Sequence, residues 1–298
     1  MRLHGLGPRL VLYILLTVSS AAWSGPPQPA QLGSPVRLTQ AGNGNLLVTD
    51  YDAKAVVTIN PGKLNIVKRF SVAGRPLGIA WSRGRIYVGN ETTGTVEVYN
   101  PAGKWLYDLG GGKGTVKQPR DIAVEQAHGR VFVIDGEENS VKVFDARGPL
   151  LDVIGKGQLI NPTGIALDVA RQQILVSDYG DPAYGEARVA IFDYAGNPAG
   201  NPAGEISGAD RREGFSRPQG LAVAESGHVF LVDGVLGEIL VFDRVSGERV
   251  KTLGGFGNEP GQLQLPLDVV IHPGSNDVFV TNNRLRRVEV FTRGGLLP

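Results

Sequence analysis

Apolar residues in this chain come in short runs that alternate with polar positions at a period of two, and turn residues cut every run. The stretch from 119 to 155 shows the unit most clearly. Ile122-Ala123-Val124 is short and apolar, Val131-Phe132-Val133-Ile134 is β-branched and aromatic, Val141-Lys142-Val143-Phe144 alternates, and Leu150 to Ile154 lies between Gly148-Pro149 and Gly155. β-Branched and aromatic residues at this period fit a pleated, half-buried surface, and Gly, Pro, Asn and Asp supply the reversals between strands. No segment sustains a 3.6-residue apolar period, so the pattern predicts strands joined by turns and almost no helix. Forty-two glycines and nineteen prolines suit such a chain.

The four-strand unit recurs. A proline opens the same phrase at Pro76-Leu77-Gly78-Ile79-Ala80, Pro119-Arg120-Asp121-Ile122-Ala123, Pro162-Thr163-Gly164-Ile165-Ala166, Pro218-Gln219-Gly220-Leu221-Ala222 and Pro266-Leu267-Asp268-Val269-Val270, with a weaker first copy from Pro35 to Gln40. An Asp or Asn follows each proline 14 to 16 residues later: Asp50, Asn90, Asp135, Asp178, Asp233 and Asn282. An apolar strand position follows nine residues after that, at Ile59, Tyr99, Phe144, Phe242 and Phe291; in the fourth unit an insertion of five moves it to Phe192. A period of 40 to 50 residues with four strands per unit predicts an all-β fold, a six-bladed β-propeller of four-stranded antiparallel blades. The phrase resembles the NHL repeat, as do the turn Asp135-Gly136-Glu137-Glu138-Asn139-Ser140-Val141-Lys142-Val143-Phe144 and the linker Gly254-Gly255-Phe256-Gly257-Asn258-Glu259-Pro260-Gly261. The resemblance runs from 35 to 295 and is strongest in blades three and five. It implies an NHL-type propeller over residues 25–298. Blade six ends early after Phe291, so residues near Gln28 to Leu32 are expected to pair with it and close the ring.

Residues 1–24 read as a secretory signal peptide: Arg2 and Arg9, the apolar run Leu10 to Val18, and small-residue cleavage sites around Ala22. That run is shorter than the roughly 20 residues of a membrane span. The expectation is an exported protein, periplasmic or extracellular. Without residues 1–24 the chain carries 28 basic and 29 acidic residues, a net charge of −1, which argues against nucleic acid as a partner. There is no cysteine, and the one methionine is Met1. Disulfides, thiol nucleophiles and thiolate metal sites are thereby excluded.

Candidate chemistry is sparse. The ring residues Asp50, Asn90, Asp135, Asp178, Asp233 and Asn282 should sit on one face, called the top. Asp121 and Asp268, which replace the usual Gly of the phrase, would add oxygens. A short carboxylate or amide at a strand end caps its own turn; the same set could instead form a rim for a ligand or for calcium, which takes six to eight oxygens. The NHL resemblance brings lactonase-like propellers that bind calcium and lyases that bind zinc, but His128, His228 and His272 lack a converging spacing and read as turn residues. Gly110-Gly111-Gly112-Lys113-Gly114 lacks the Ser or Thr of a phosphate loop. The sharpest departures are the blade-four insertion, with Tyr179, Asp181, Tyr184 and Glu186, and the long linker into blade five, with Arg211, Arg212 and Arg217. Tyr and Arg are enriched at interface hot spots. The expected function is a binding or scaffold module for another envelope or secreted protein, or a surface polymer, with no cofactor. The alternative is a metal-dependent hydrolase or lyase with its pocket at the channel mouth.

Overall fold

A computed structural model describes residues 30–292 except 182, 184–186, 198–204 and 208–213. Residues 1–24 therefore lie outside the described residues, and among those described no helix is long and apolar enough to cross a membrane. The described residues form six antiparallel sheets, each built from consecutive strands, five of four strands and one of three. Their innermost strands are Pro35–Gln40, Pro76–Ser82, Pro119–Glu125, Pro162–Asp168, Pro218–Val223 and Pro266–Ile271, so each repeated proline opens one blade. The one helical element among the described residues is a 3-10 turn, Leu109–Gly111.

The spacing that defines the repeat is a register. Pro35 faces Asp50, Pro76 faces Asn90, Pro119 faces Asp135, Pro162 faces Asp178, Pro218 faces Asp233 and Pro266 faces Asn282. Immediately after each proline the pairing shifts by a bulge. Proline has no N–H for the ladder and belongs at a strand start. The bulge re-aims the next one or two side chains, here into the central channel.

Burial follows the radial order. The second strand Leu46–Asp50 is buried throughout, whereas the outer strand Leu150–Ile154 exposes all but Ile154. Apolar residues gather in six clusters, each spanning two neighbouring blades; one joins Leu47 and Val56 of blade one to Ile79, Ile86 and Val88 of blade two. The core is thus six wedges between blades rather than a single centre.

Of the segment expected to close the ring, Gln28 and Pro29 lie outside the described residues, among which blade six has three strands. Leu32 enters the wedge between blades six and one against Phe279 and Val288, buried to 3% exposure. Its amide donates to the Arg286 carbonyl at 2.8 Å, and Arg286 Nε donates to the Leu32 carbonyl at 3.0 Å. Thr281 Oγ1 donates to the Val36 carbonyl at 2.9 Å. Val116, Leu159, Phe215 and Leu263, all buried, precede their phrase prolines at the spacing of Leu32, and before Pro76 the buried residue is Val72, one position earlier, so the closing contact repeats what the other linkers do.

Candidate binding site at the channel mouth

The six ring residues cap backbone. Asp50 accepts from the amides of Gly33 (2.7 Å), Ser34 (2.8 Å) and Ala53 (3.3 Å). Asp233 accepts from Ser216, Arg217, Val235 and Leu236 at 2.7–3.1 Å. Asp178 accepts from Asn161 (2.7 Å) and Gly180 (3.2 Å). Each ties an incoming linker to the turn between second and third strands, which puts linkers and these turns at one end of the ring. Asp135 does the same with Lys117, Gln118, Glu137 and Glu138, and also meets buried Lys142 at 2.8 Å. Burial alone would push Asp135 up, but the Lys142 ammonium and the capped amides hold it below the usual carboxylate range. Asn90 and Asn282 use both ends of the amide: Asn90 accepts from Thr92 at 3.0 Å and donates to Glu97 at 2.8 Å, and Asn282 accepts from Gln264 at 2.9 Å and donates to the Gln262 carbonyl at 3.0 Å. All six are buried, and each serves its own blade.

The third residue of the phrase forms a separate layer across the channel: Arg37, Gly78, Asp121, Gly164, Gly220 and Asp268. Arg37 crosses it. Its Nη1 donates to the Leu267 carbonyl at 2.7 Å, Nη2 to the Thr163 carbonyl and Nε to the Arg120 carbonyl at 3.4 Å, so one side chain of blade one reaches blades three, four and six. Asp121 lies 3.8 Å and Asp268 3.6 Å from the same guanidinium. The glycines make room, since a Cβ on Gly220 would overlap Asp268 and crowd Arg37. Burial pushes both carboxyls up against the pull of Arg37, Asp268 to about 8 with Asp121 adding to the push. The sequence flagged Asp121 and Asp268 at this position; Arg37, in the weakest copy of the phrase, is the residue that unites them.

Above this plug is a cavity of about 300 Å³ lined by Leu77, Glu91, Gln118, Arg120, Asn161, Thr163, Tyr179, Arg217 and Gln219, among others. Below the plug lies a second cavity of about 250 Å³ among Ile79, Trp81, Val124, Leu167 and Val223, with Asp121 and Asp268 also in its lining. The upper walls obey a complementarity. Where the phrase's second residue is long, Arg120 or Gln219, the residue after the ring position is Gly136 or Gly234; where it is shorter, at Val36, Leu77, Thr163 and Leu267, that residue is Tyr51, Glu91, Tyr179 and Asn283. A Cβ on Gly136 would overlap Arg120, and one on Gly234 would sit 3.2 Å from Gln219.

A polar chain follows half the mouth. Arg75 donates to Tyr51 Oη at 3.3 Å, Tyr51 donates to Glu91 at 2.5 Å, and Gln118 Nε2 donates to the other Glu91 oxygen at 3.5 Å. Arg120 Nε donates to Gln118 at 3.0 Å, and its Nη1 donates to Asn161 at 2.5 Å and to the Pro162 carbonyl at 3.0 Å. Of the residues nominated from the insertion and linker, Tyr179 and Arg217 meet at this cavity, while Asp181 accepts from the Ala183 amide at 2.8 Å in its own loop. Tyr184, Glu186, Arg211 and Arg212 lie outside the described residues. Glu91, Gln118, Arg120, Asn161 and Gln219 were not nominated from sequence; the Gly136–Arg120 and Gly234–Gln219 exchange is the signal that could have found two of them. The histidines stay in local turns, His128 beside Glu125 at 3.2 Å, His228 beside Ser226 at 3.0 Å and His272 beside Ser275 at 3.3 Å. Among the described residues no group of three or more His, Asp or Glu side chains could hold a metal.

No family model matches the chain, and neither does any curated relative. Solved propellers do. Hydrazine synthase from Kuenenia stuttgartiensis superimposes with a TM-score of 0.64 at 12% identity, covering 94% of this chain and 99% of that one. A catalytically inactive virginiamycin B lyase from Staphylococcus aureus with quinupristin gives 0.61 at 14% identity, covering 90% and 85%. A nidogen–laminin complex gives 0.58 at 17% identity, covering 74% and 80%. At these identities the likeness is one of fold.

Proposed function

We propose that the chain is an exported NHL-type propeller that binds another envelope or secreted protein through its top face and carries out no chemistry of its own. One observation carries the reading. Tyr179 and Arg217, from the two loops that depart most from the repeat, converge on a mouth whose floor is closed by a buried guanidinium. A rigid scaffold that presents its irregular loops around a dead-end receptacle is built for recognition. The nidogen–laminin complex offers a fold-level parallel in which a propeller chain occurs together with another protein.

A photo-crosslinker tests the face. Benzoylphenylalanine in place of Tyr179 is expected to capture a defined protein in the native host. The same group in place of exposed Val245, in a turn at the opposite end, is expected to capture none. Equal capture at both positions, or none at 179, would overturn the reading and return weight to a small-molecule pocket.

A further inference from the structure

We propose that the channel mouth is a carboxylate socket, in which Arg120 and Arg217 receive an acidic group presented by the partner protein; this rests on the top-face reading above. The charges around the cavity do not balance. Among the described residues its lining holds three arginines and one acid, Glu91. Arg37 is met from below by Asp121 and Asp268. Glu91 is already engaged by Tyr51 on one oxygen and approached by Gln118 on the other. Neither Arg120 nor Arg217 has a carboxylate within 4 Å among the described residues.

Arg120 is held as a receptor group would be. Gln118, Asn161 and the Pro162 carbonyl fix Nε and Nη1, and Nη2 is left without a hydrogen-bond acceptor among the described residues. All three acceptors are neutral, so they orient the guanidinium without neutralising it. Gly136 leaves the space in which its side chain lies. Burial and then the nearby Arg37 push Arg120 below the ordinary arginine value, and the pull of Asp135 and Glu91, neither in contact with it, offsets this only in part, so its charge is held against desolvation and repulsion. An incoming carboxylate would relieve both and could take a charge-assisted bond from Nη2. Arg217, exposed on the rim, would supply the second cation and long-range steering. Polar Thr163, Asn161 and Gln219 complete a wall suited to the carboxylate's remaining oxygen, and about 300 Å³ is room for one or two side chains.

The test is fluorescence anisotropy of the purified protein with three labelled peptides: a blocked Gly-Glu-Gly-Glu-Gly, its Gln counterpart, and a Gly pentapeptide with a free C-terminal carboxylate. The expected result is binding of the first or the third and at least tenfold weaker binding of the Gln peptide. Which of the two binds distinguishes a side-chain carboxylate from a chain terminus. Arg120→Gln should weaken that binding at least tenfold. Gly136→Ala, which keeps every charge but displaces Arg120, should weaken it too. Glu91→Gln should strengthen it severalfold, a change of sign that a merely damaged site would not give. Equal affinity for the Glu and Gln peptides, no binding of any peptide at millimolar concentration, or a folded Arg120→Gln protein with unchanged affinity would overturn the proposal. Capture at position 179 with no carboxylate preference would sink the socket and leave the top-face reading standing. Carboxylate binding without capture would do the reverse.

Discussion

Replacing Asp268 by Asn should weaken a pH dependence that the channel plug imposes on the whole fold. Asp121 and Asp268 share one guanidinium from opposite sides of the channel, and Asp268 is pushed up to about 8 by burial and by Asp121. In an unfolded chain the same carboxyl ionises near its ordinary value of about 4. Between those values the folded protein keeps a proton that the unfolded chain has released, so unfolding releases a proton and rising pH favours it. One such proton gives a slope of at most about 1.4 kcal/mol per pH unit, or up to about 3 kcal/mol lost between pH 5 and pH 7. Urea unfolding, monitored by tryptophan fluorescence at half-unit steps from pH 5 to 8, reads this directly. The wild-type free energy should fall across the window. Asn at 268 can still accept from the Leu38 amide, which Asp268 does at 2.9 Å, and leaves Arg37 with one carboxyl beside it, Asp121, in place of two. Its profile should therefore be shallower than the wild type's, since the proton held by Asp268 is gone. A wild-type curve that is level or rising, or an Asp268→Asn curve that keeps the wild-type slope, would refute the shared-proton plug.

Three further outcomes follow from the same geometry. Asn90→Asp, the substitution the repeat consensus recommends, should destabilise by about 3 kcal/mol at pH 7 and less at pH 5, because it sets a carboxylate against buried Glu97, now 2.8 Å from the Asn90 amide nitrogen; urea melts at the two pH values check it. Leu32→Ala should cost about 2–5 kcal/mol by opening the wedge that closes the ring, with Val67→Ala, on an exposed outer strand, as the near-neutral control in the same melts. Asp233→Ala should cost about 3 kcal/mol or more, since four amides lose their acceptor, and hydrogen exchange at Ser216, Arg217, Val235 and Leu236 should accelerate together.

What could be read from the sequence was whatever the chain settles within one blade. The prolines, the alternating runs and the polar residue 14 to 16 positions on are a strand start, a pleat and a cap, all decided by neighbours along the chain. The plug was half visible. Asp121 and Asp268 stood out from glycine, but Arg37 meets them only when blades one, three and six face each other across the channel. Arg120 was missed for a related reason: a bulge after the proline decides where the second residue of the phrase points, and alternation alone does not disclose it; Glu91 lies in the turn after Asn90, outside the strand pattern. The closing segment was legible at Leu32, a buried apolar residue three positions before Pro35 like Val116, Leu159, Phe215 and Leu263 before their prolines; Gln28 and Pro29 lie outside the described residues.

The repeats are equivalent in backbone and not in side chain, and the differences come in compensating sets. Asn90 faces Glu97, Asp135 faces Lys142, and Asp233 stands opposite no charge, with Leu240 at the matching position. Blades two and three thus settle their caps through a side-chain partner, and blade five settles its own through backbone amides. The same holds for volume above the plug, where Gly136 answers Arg120 and Gly234 answers Gln219. Once these sets are matched off, the unbalanced residues are few. Arg120 and Arg217 face a mouth whose single acid is already engaged. A charge that a scaffold holds in place without neutralising is a cost to stability. That cost is consistent with selection for what the charge contacts, which is why the mouth, rather than the buried ring of carboxylates, is the place to look for the partner.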